Sequence, residues 1–151
     1  MTLKVLILGS EGFVGNNLVA DLGKSYEIMA ADQIDSKLTQ NYMKFNITDY
    51  KSVKDTIKDV DVVIDLVAHT LVSSIDQTIQ NAQVNIIGLL NVLEACRQNK
   101  VKKIIFTSAS SLIGEPQNYK VSETHFAKPK TAYGITKLAS EHYLRLYYEL
   151  Y

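Results

Sequence analysis

The sequence predicts an α/β fold, a doubly wound parallel sheet with its strands in the order 3-2-1-4-5. Three observations predict it. Short β-branched apolar runs alternate with stretches of helical spacing, which calls for parallel strands joined by right-handed crossovers. The first run ends in a glycine-rich turn, Gly9-Ser10-Glu11-Gly12-Phe13-Val14-Gly15, that leads straight into a helical stretch. Far downstream, Tyr133 and Lys137 stand four residues apart at the start of the last helical stretch.

The elements follow in order. Lys4 to Leu8 is apolar enough for a strand buried on both faces. A helix is expected from about Phe13 to Leu22. A second strand runs from about Glu27 to Ala31 and closes on Asp32, and Tyr42 to Phe45 makes a weaker third. Thr48 and Asp49 offer N-cap chemistry for a polar helix reaching about Lys58. Asp61 to Val67 is the fourth strand. A long helix is expected from about Ile79 to Asn99, with Val84, Leu89, Val92, Leu93 and Cys96 on its apolar stripe. Lys103 to Thr107 is the fifth strand. A loop holding Pro116 and Pro129 leads to the last helix, from about Ala132 onward.

Composition bounds the chemistry. The chain has 151 residues and a formal net charge of zero, with 46% hydrophobic and 21% charged residues. Those are ordinary values for a globular domain. No basic run is present, which argues against a nucleic-acid partner. The apolar runs are far too short for a membrane span. A strand-like run begins almost at Met1, so no signal peptide is expected. The single cysteine, Cys96, falls on a helical apolar stripe and reads as a packing thiol. These features together predict a cytoplasmic protein.

The three glycines of the turn have separate mechanical uses. One lets the chain turn sharply, one lets backbone approach a pyrophosphate, and one lets helix pack on strand. Phosphate would then sit at a helix N-terminus, where free N–H groups favour negative charge. A glycine-rich strand-to-helix turn without any ligand is the plainer alternative. The spacing is G-x-x-G-x-x-G, and Glu11 stands where G-x-G-x-x-G would have glycine. Asp32 closes the second strand, where a carboxylate can accept both ribose hydroxyls of NAD. It would repel a 2′-phosphate, and Gln33, Ile34 and Asp35 follow it rather than an arginine. NAD is therefore favoured over NADP. The plainer reading of Asp32 is a strand-end turn residue.

On a helix, Tyr133 and Lys137 share a face. A free tyrosine ionises near pH 10, too high for a neutral-pH base. A neighbouring ammonium favours the phenolate, which makes the pair a candidate base. A helical tyrosine beside a solvated lysine is the alternative. His69 follows the fourth strand at the sheet edge where ligands bind, and reads equally well as a plain loop histidine. His125 and His142 have no ligand-like spacing, so no metal site is expected.

These residues resemble the extended short-chain dehydrogenase/reductase family, and within it the nucleotide-sugar epimerases and dehydratases. Asp61-Val62-Val63-Ile64 resembles the family's fourth strand. Asn85 to Ala95 resembles its Asn-x-x-Gly-Thr-x-Asn-x-Leu-Glu-Ala helix, Phe106 to Gly114 its serine-rich fifth strand and loop, and Thr131 to Tyr151 its catalytic helix. The resemblance implies a Rossmann-type NAD(P)-binding domain over residues 1–151. NAD would be held by Gly9, Gly12, Phe13, Val14, Gly15, Asp32, Asn46, Ile47, Leu66, Val67, Ala68, Tyr133 and Lys137. It implies Tyr133 as the base that takes a proton from a sugar hydroxyl during transient hydride transfer, with Lys137 lowering its pKa and orienting the ribose. Asn85 would hydrogen-bond backbone in the core.

The chain departs from the family pattern in several places. The family's catalytic Ser/Thr, five residues before the closing glycine, is Ala109 here. Ser110, Ser108 and Ser111 are the candidate replacements, with Ser110 the first choice. The common Val-Tyr-Gly is Leu112-Ile113-Gly114, the adenine-contacting aspartate is Asn46, and His-Leu-Ala-Ala is Asp65-Leu66-Val67-Ala68. The last helix carries apolar residues on two sides, Ile135, Leu138, Ala139, Leu146 and Leu150 on one and Tyr133, Leu144, Tyr147, Tyr148 and Tyr151 on the other. The resemblance implies a homodimer packed through this helix and the 85–99 helix. A sixth strand and a C-terminal substrate domain, which would bind the nucleotide sugar, are expected to be absent from this chain. The readings carried forward are the NAD-binding domain of a nucleotide-sugar epimerase or dehydratase, a non-catalytic NAD-sensing module of the same fold, and an NAD-linked reductase of a small carbonyl compound.

Overall fold

A computed structural model describes residues 2–36, 39–116 and 120–151. Its strands are β1 (Lys4–Leu8), β2 (Glu27–Asp32), β3 (Tyr42–Lys44), β4 (Val62–Asp65) and β5 (Lys103–Phe106). They form one parallel sheet in the order β3-β2-β1-β4-β5, as the sequence predicts. β1 is central: Leu8 pairs with Ala31 on one side and Asp65 on the other. Val5, Leu6, Ile7 and Leu8 are all buried, which is why this run is apolar without alternation.

The helices are α1 (Phe13–Leu22), α2 (Tyr50–Thr56), α3 (Thr78–Ala82), α4 (Gly88–Asn99) and α5 (Ala132–Leu150). Asp49 caps α2 by accepting the Lys51 N–H at 3.0 Å, and Thr131 caps α5 by accepting the Gly134 N–H at 3.0 Å. The helix expected over 79–99 is two helices joined by a π segment, Gln83–Ile87. Each extra residue in such a turn rotates the following helix by about 100°. The apolar stripe is broken there. Leu89, Val92, Leu93 and Cys96 are buried as expected, whereas Val84 is only half-buried and the buried positions upstream are Asn81 and Asn85. The fourth strand also ends earlier than Val67, because Val67 N–H turns back to Asp65 Oδ1 at 3.0 Å.

The chain divides into two compact units. The first holds residues 1–67 and 88–107, and so the whole sheet. One part of its core joins α1 to the sheet through Val5, Ile7, Val19, Ile28, Ala30 and Ile64. Elsewhere in this unit α2 packs on α4, with Val53, Ile57, Leu89 and Val92 fully or almost fully buried. Cys96 lies on α4, and burial, with the charge of Asp65, pushes its thiol up to about 12.

The second unit holds residues 68–87 and 108–151. It is cored by hydrogen bonds more than by hydrocarbon. Asn85 accepts the His69 N–H at 2.7 Å and donates to the His69 carbonyl at 3.1 Å, so it serves backbone as expected. Asn81 donates to the same carbonyl at 3.0 Å. Asn85 also donates to Thr136 Oγ1 at 3.1 Å. That hydroxyl lies 3.1 Å from Asn81 Oδ1 and 2.9 Å from the Tyr133 carbonyl, either of which can take its proton. The buried face of α5 is thus Gly134, Thr136, Lys137 and Ser140 rather than either apolar side. Ile135 is 55% exposed and Tyr148 88%. No described helix is long and apolar enough to cross a membrane.

Candidate functional site

In the first unit the site begins with Gly9. Its φ is +80°, a backbone that favours glycine, and a Cβ there would meet Leu66 C and Val67 N at 3.2 Å. The turn therefore lies directly against the carboxyl end of β4. A Cβ on Gly15 would run into the Gly9 carbonyl oxygen and come 2.7 Å from Ser10 Cα. These two positions allow α1 to start immediately beside β1. Gly12 is the N-cap of α1, with no side chain capping it and no acidic residue in the first turn. The first N–H groups of the helix are left for another partner. Phe13 is 89% exposed and Val14 is exposed beside it.

Asp32 closes β2 next to this turn. Its Oδ2 accepts the Glu11 N–H at 3.0 Å and its Oδ1 accepts the Gln33 N–H at 2.7 Å. Two amides fix the carboxylate, and each oxygen keeps a lone pair for a further donor. Asn46 and Ile47 follow β3. Asn46 Oδ1 is used by Thr48, at 3.0 Å from its N–H and 2.8 Å from its hydroxyl, and Ile47 is buried. The structure thus places Gly9, Gly12, Gly15, Asp32, Leu66 and Val67 at the carboxyl ends of β1, β2 and β4, the edge where ligands bind in parallel sheets. A cavity lined by Lys4, Glu27 and Val60 among others lies at the opposite, amino end of these strands.

In the second unit Tyr133 and Lys137 stand one turn apart on α5. Lys137 is 1% exposed, and its Nζ lies 5.7 Å from the centre of the Tyr133 ring. Burial pushes the Tyr133 phenol above its usual range. The expected downward pull of Lys137 does not show: desolvation of the ring dominates at this separation. Among the serines, Ser108 and Ser110 are exposed, and Ser110 opens a 3₁₀ turn, Ser110–Leu112. Ser111 Oγ, by contrast, is buried without a hydrogen-bond partner. Its carbonyl lies 2.5 Å from where a Gly134 Cβ would be, so the turn abuts α5 beside Tyr133. His69 Nε2 lies 3.2 Å from Gln77 Oε1, and its Nδ1 is buried without a partner. Ala68 precedes it, half-buried. No three metal-ligating side chains gather among the described residues.

Residues 5–151 match the model of the NAD dependent epimerase/dehydratase family. The chain belongs to this family. A putative UDP-glucose 4-epimerase of Methanocaldococcus jannaschii is 31% identical over 97% of this chain and 52% of its own length. The dTDP-D-glucose 4,6-dehydratase of Dictyostelium discoideum is 28% identical over 97% of this chain and 40% of its own. The crystal structure of Thermus thermophilus UDP-glucose 4-epimerase in complex with NAD superposes with a TM-score of 0.87, at 29% identity, over 99% of this chain and 52% of that one. The chain therefore spans about half the length of the family members it matches. Sequence reasoning named Ser111 without ranking it first and left Glu11 aside. What marks both is a buried oxygen without a partner, which no spacing rule reveals.

Proposed function

We propose that this chain is the NAD-binding domain of a nucleotide-sugar epimerase or dehydratase that works by transient hydride transfer. The observation that carries this reading is the pairing of Tyr133 with a buried Lys137 on one helical face, in a chain that belongs to this family. The residues present fit NAD. The uncapped amides of α1 suit its pyrophosphate, and the fixed carboxylate of Asp32 suits a ribose diol. Asn46, with Oδ1 used locally, keeps Nδ2 as a donor for an adenine ring nitrogen. Ile47, Leu66, Val67 and Ala68 would supply apolar surface, and Lys137 would hold the nicotinamide ribose.

When bound, NAD would supply the hydride acceptor that turns a sugar alcohol into a ketone and later gives the hydride back. Tyr133 takes the hydroxyl proton on its phenolate oxygen and returns it at the end. Because burial raises this phenol, the bound state must supply the positive potential that lowers it. Lys137 contributes by approaching the oxygen, and one unit of depression needs about 1.4 kcal/mol. Ser108 and Ser110 remain candidates for the hydroxyl that Ala109 lacks.

Ala109 favours a second reading, a non-catalytic NAD-binding module of the same fold. The family's nucleotide sugars, a homodimer formed through α5 and the 85–99 helix, and a cytoplasmic location belong to the leading one. The exposed Ile135, Leu146 and Leu150 on α5 support the dimer. Calorimetric titration of the chain with NAD tests cofactor binding, and no heat at millimolar cofactor would overturn both readings. Turnover of UDP-, GDP- or dTDP-sugars by a version carrying a substrate domain, lost in Tyr133→Phe, separates the enzyme from the module.

A further inference from the structure

Glu11 is the residue of the glycine turn that NAD binding alone leaves unexplained. Its N–H donates to Asp32 Oδ2 at 3.0 Å, which sets the two residues side by side at the carboxyl ends of β1 and β2. That bond uses the backbone, so the fold asks nothing of the Glu11 side chain. Yet Glu11 Oε1 is buried and has no hydrogen-bond partner. An unpaired buried carboxylate oxygen is costly, and such atoms call for a ligand or a function. The adjacent Ser10 is fully buried and its hydroxyl also lacks a partner.

The neighbourhood is negative. The Tyr42 phenol, 3.4 Å from the Asp32 carbonyl, is raised by burial and then by the charges of Asp32, Glu11 and Asp35. Lys44, the cation at the end of the neighbouring strand, is taken by Asp35 at 2.9 Å. Among the described residues, then, no cation pairs with Glu11 or Asp32 on this rim.

We infer that Glu11 joins Asp32 as a second carboxylate of the adenosine-ribose subsite, so that the chain accepts the free diol of NAD and excludes the 2′-phosphate of NADP. This rests on the reading of the chain as an NAD-binding domain. Two hydroxyl donors meet two acceptors, while a phosphate dianion meets two like charges in a partly dry site, where repulsion is weakly screened.

The test is calorimetric titration of the chain, Glu11→Gln, Glu11→Ser and Asp32→Asn with NAD and with NADP, at low and at high salt. The chain itself is expected to prefer NAD. Glu11→Gln is expected to relax that preference about tenfold, mainly by tighter NADP binding, with a melting temperature no lower than that of the chain, because the Glu11 N–H bond to Asp32 survives and an unpaired buried charge is removed. Glu11→Ser should behave alike, which guards against a fault peculiar to glutamine. High salt should leave most of the chain's NAD preference in place, because a partly buried repulsion is weakly screened, and loss of the preference at high salt would overturn the inference. An unchanged ratio in both Glu11 variants, with a shift in Asp32→Asn, overturns the inference and leaves the proposed function standing. Equal binding of both nucleotides by the unaltered chain also overturns it. Failure to bind either nucleotide overturns the proposed function itself.

Discussion

At Gly15 the chain has no room for a β-carbon, because the Gly9 carbonyl and Ser10 Cα already occupy that place. Gly15→Ala is therefore expected to cost about 1–3 kcal/mol, the usual range for overpacking a tight site, read as a lower midpoint in urea unfolding. The same substitution should weaken NAD binding, since either the turn or the start of α1 must shift to make room. A melting curve unchanged from the original chain would show that the turn is looser than its geometry implies. Ser111 presents the opposite case. Its buried hydroxyl has no partner to lose, so no hydrogen bond of the folded chain accounts for it.

At the scale of elements, the π segment and α5 depend on one another. Asn85 sits in the middle of the segment and reaches both the His69 backbone and Thr136. An ordinary α-helical turn would carry it to a different phase, and the hydrogen bonds would have no donor. Thr136→Val keeps the volume but removes the hydroxyl between Asn81 and Asn85. It should cost about 1–3 kcal/mol, the penalty for leaving buried amide groups unpaired, while Thr136→Ser should cost much less. Asn85→Leu should be at least as severe, and the two changes should combine non-additively because they break one network. Unfolding by denaturant measures all three. Additive losses would mean that the bonds act separately.

For the whole molecule, Cys96 contributes a loss of stability at alkaline pH, in the same direction as the raised phenols of Tyr42 and Tyr133. An unfolded thiol ionises near pH about 8.5, whereas the folded one is held up at about 12. Between these values the unfolded chain gives up a proton that the folded chain keeps, so stability falls as pH rises. The loss attributable to this thiol grows to about 4 kcal/mol by pH 12. Cys96→Ala should start less stable, from its lost packing, and should decline less steeply across this range. Denaturation at stepped pH values checks it, and equal slopes for the two chains would refute it.

The strand order, the glycine turn, Asp32 and the Tyr133–Lys137 pair were legible in the sequence because each depends on local pattern. Burial on both faces makes a strand apolar throughout, a tight turn demands glycine, and residues four apart on a helix must share a face. Residues 13–22 and 132–150 form helices where that pattern places them. What the sequence alone could not decide was which oxygens lack partners and which face of a helix turns inward. α5 shows two apolar sides, yet it buries Thr136 and Ser140, because Asn81 of α3 and Asn85 of the π segment, distant in sequence, are the hydrogen-bond partners of Thr136, and the Asn85 carbonyl accepts from Ser140. Ser111 and Glu11 differ from their neighbours only through atoms brought near by folding. Periodicity encodes the elements; the satisfaction of buried polar groups is a property of their assembly, so only the tertiary structure settled it.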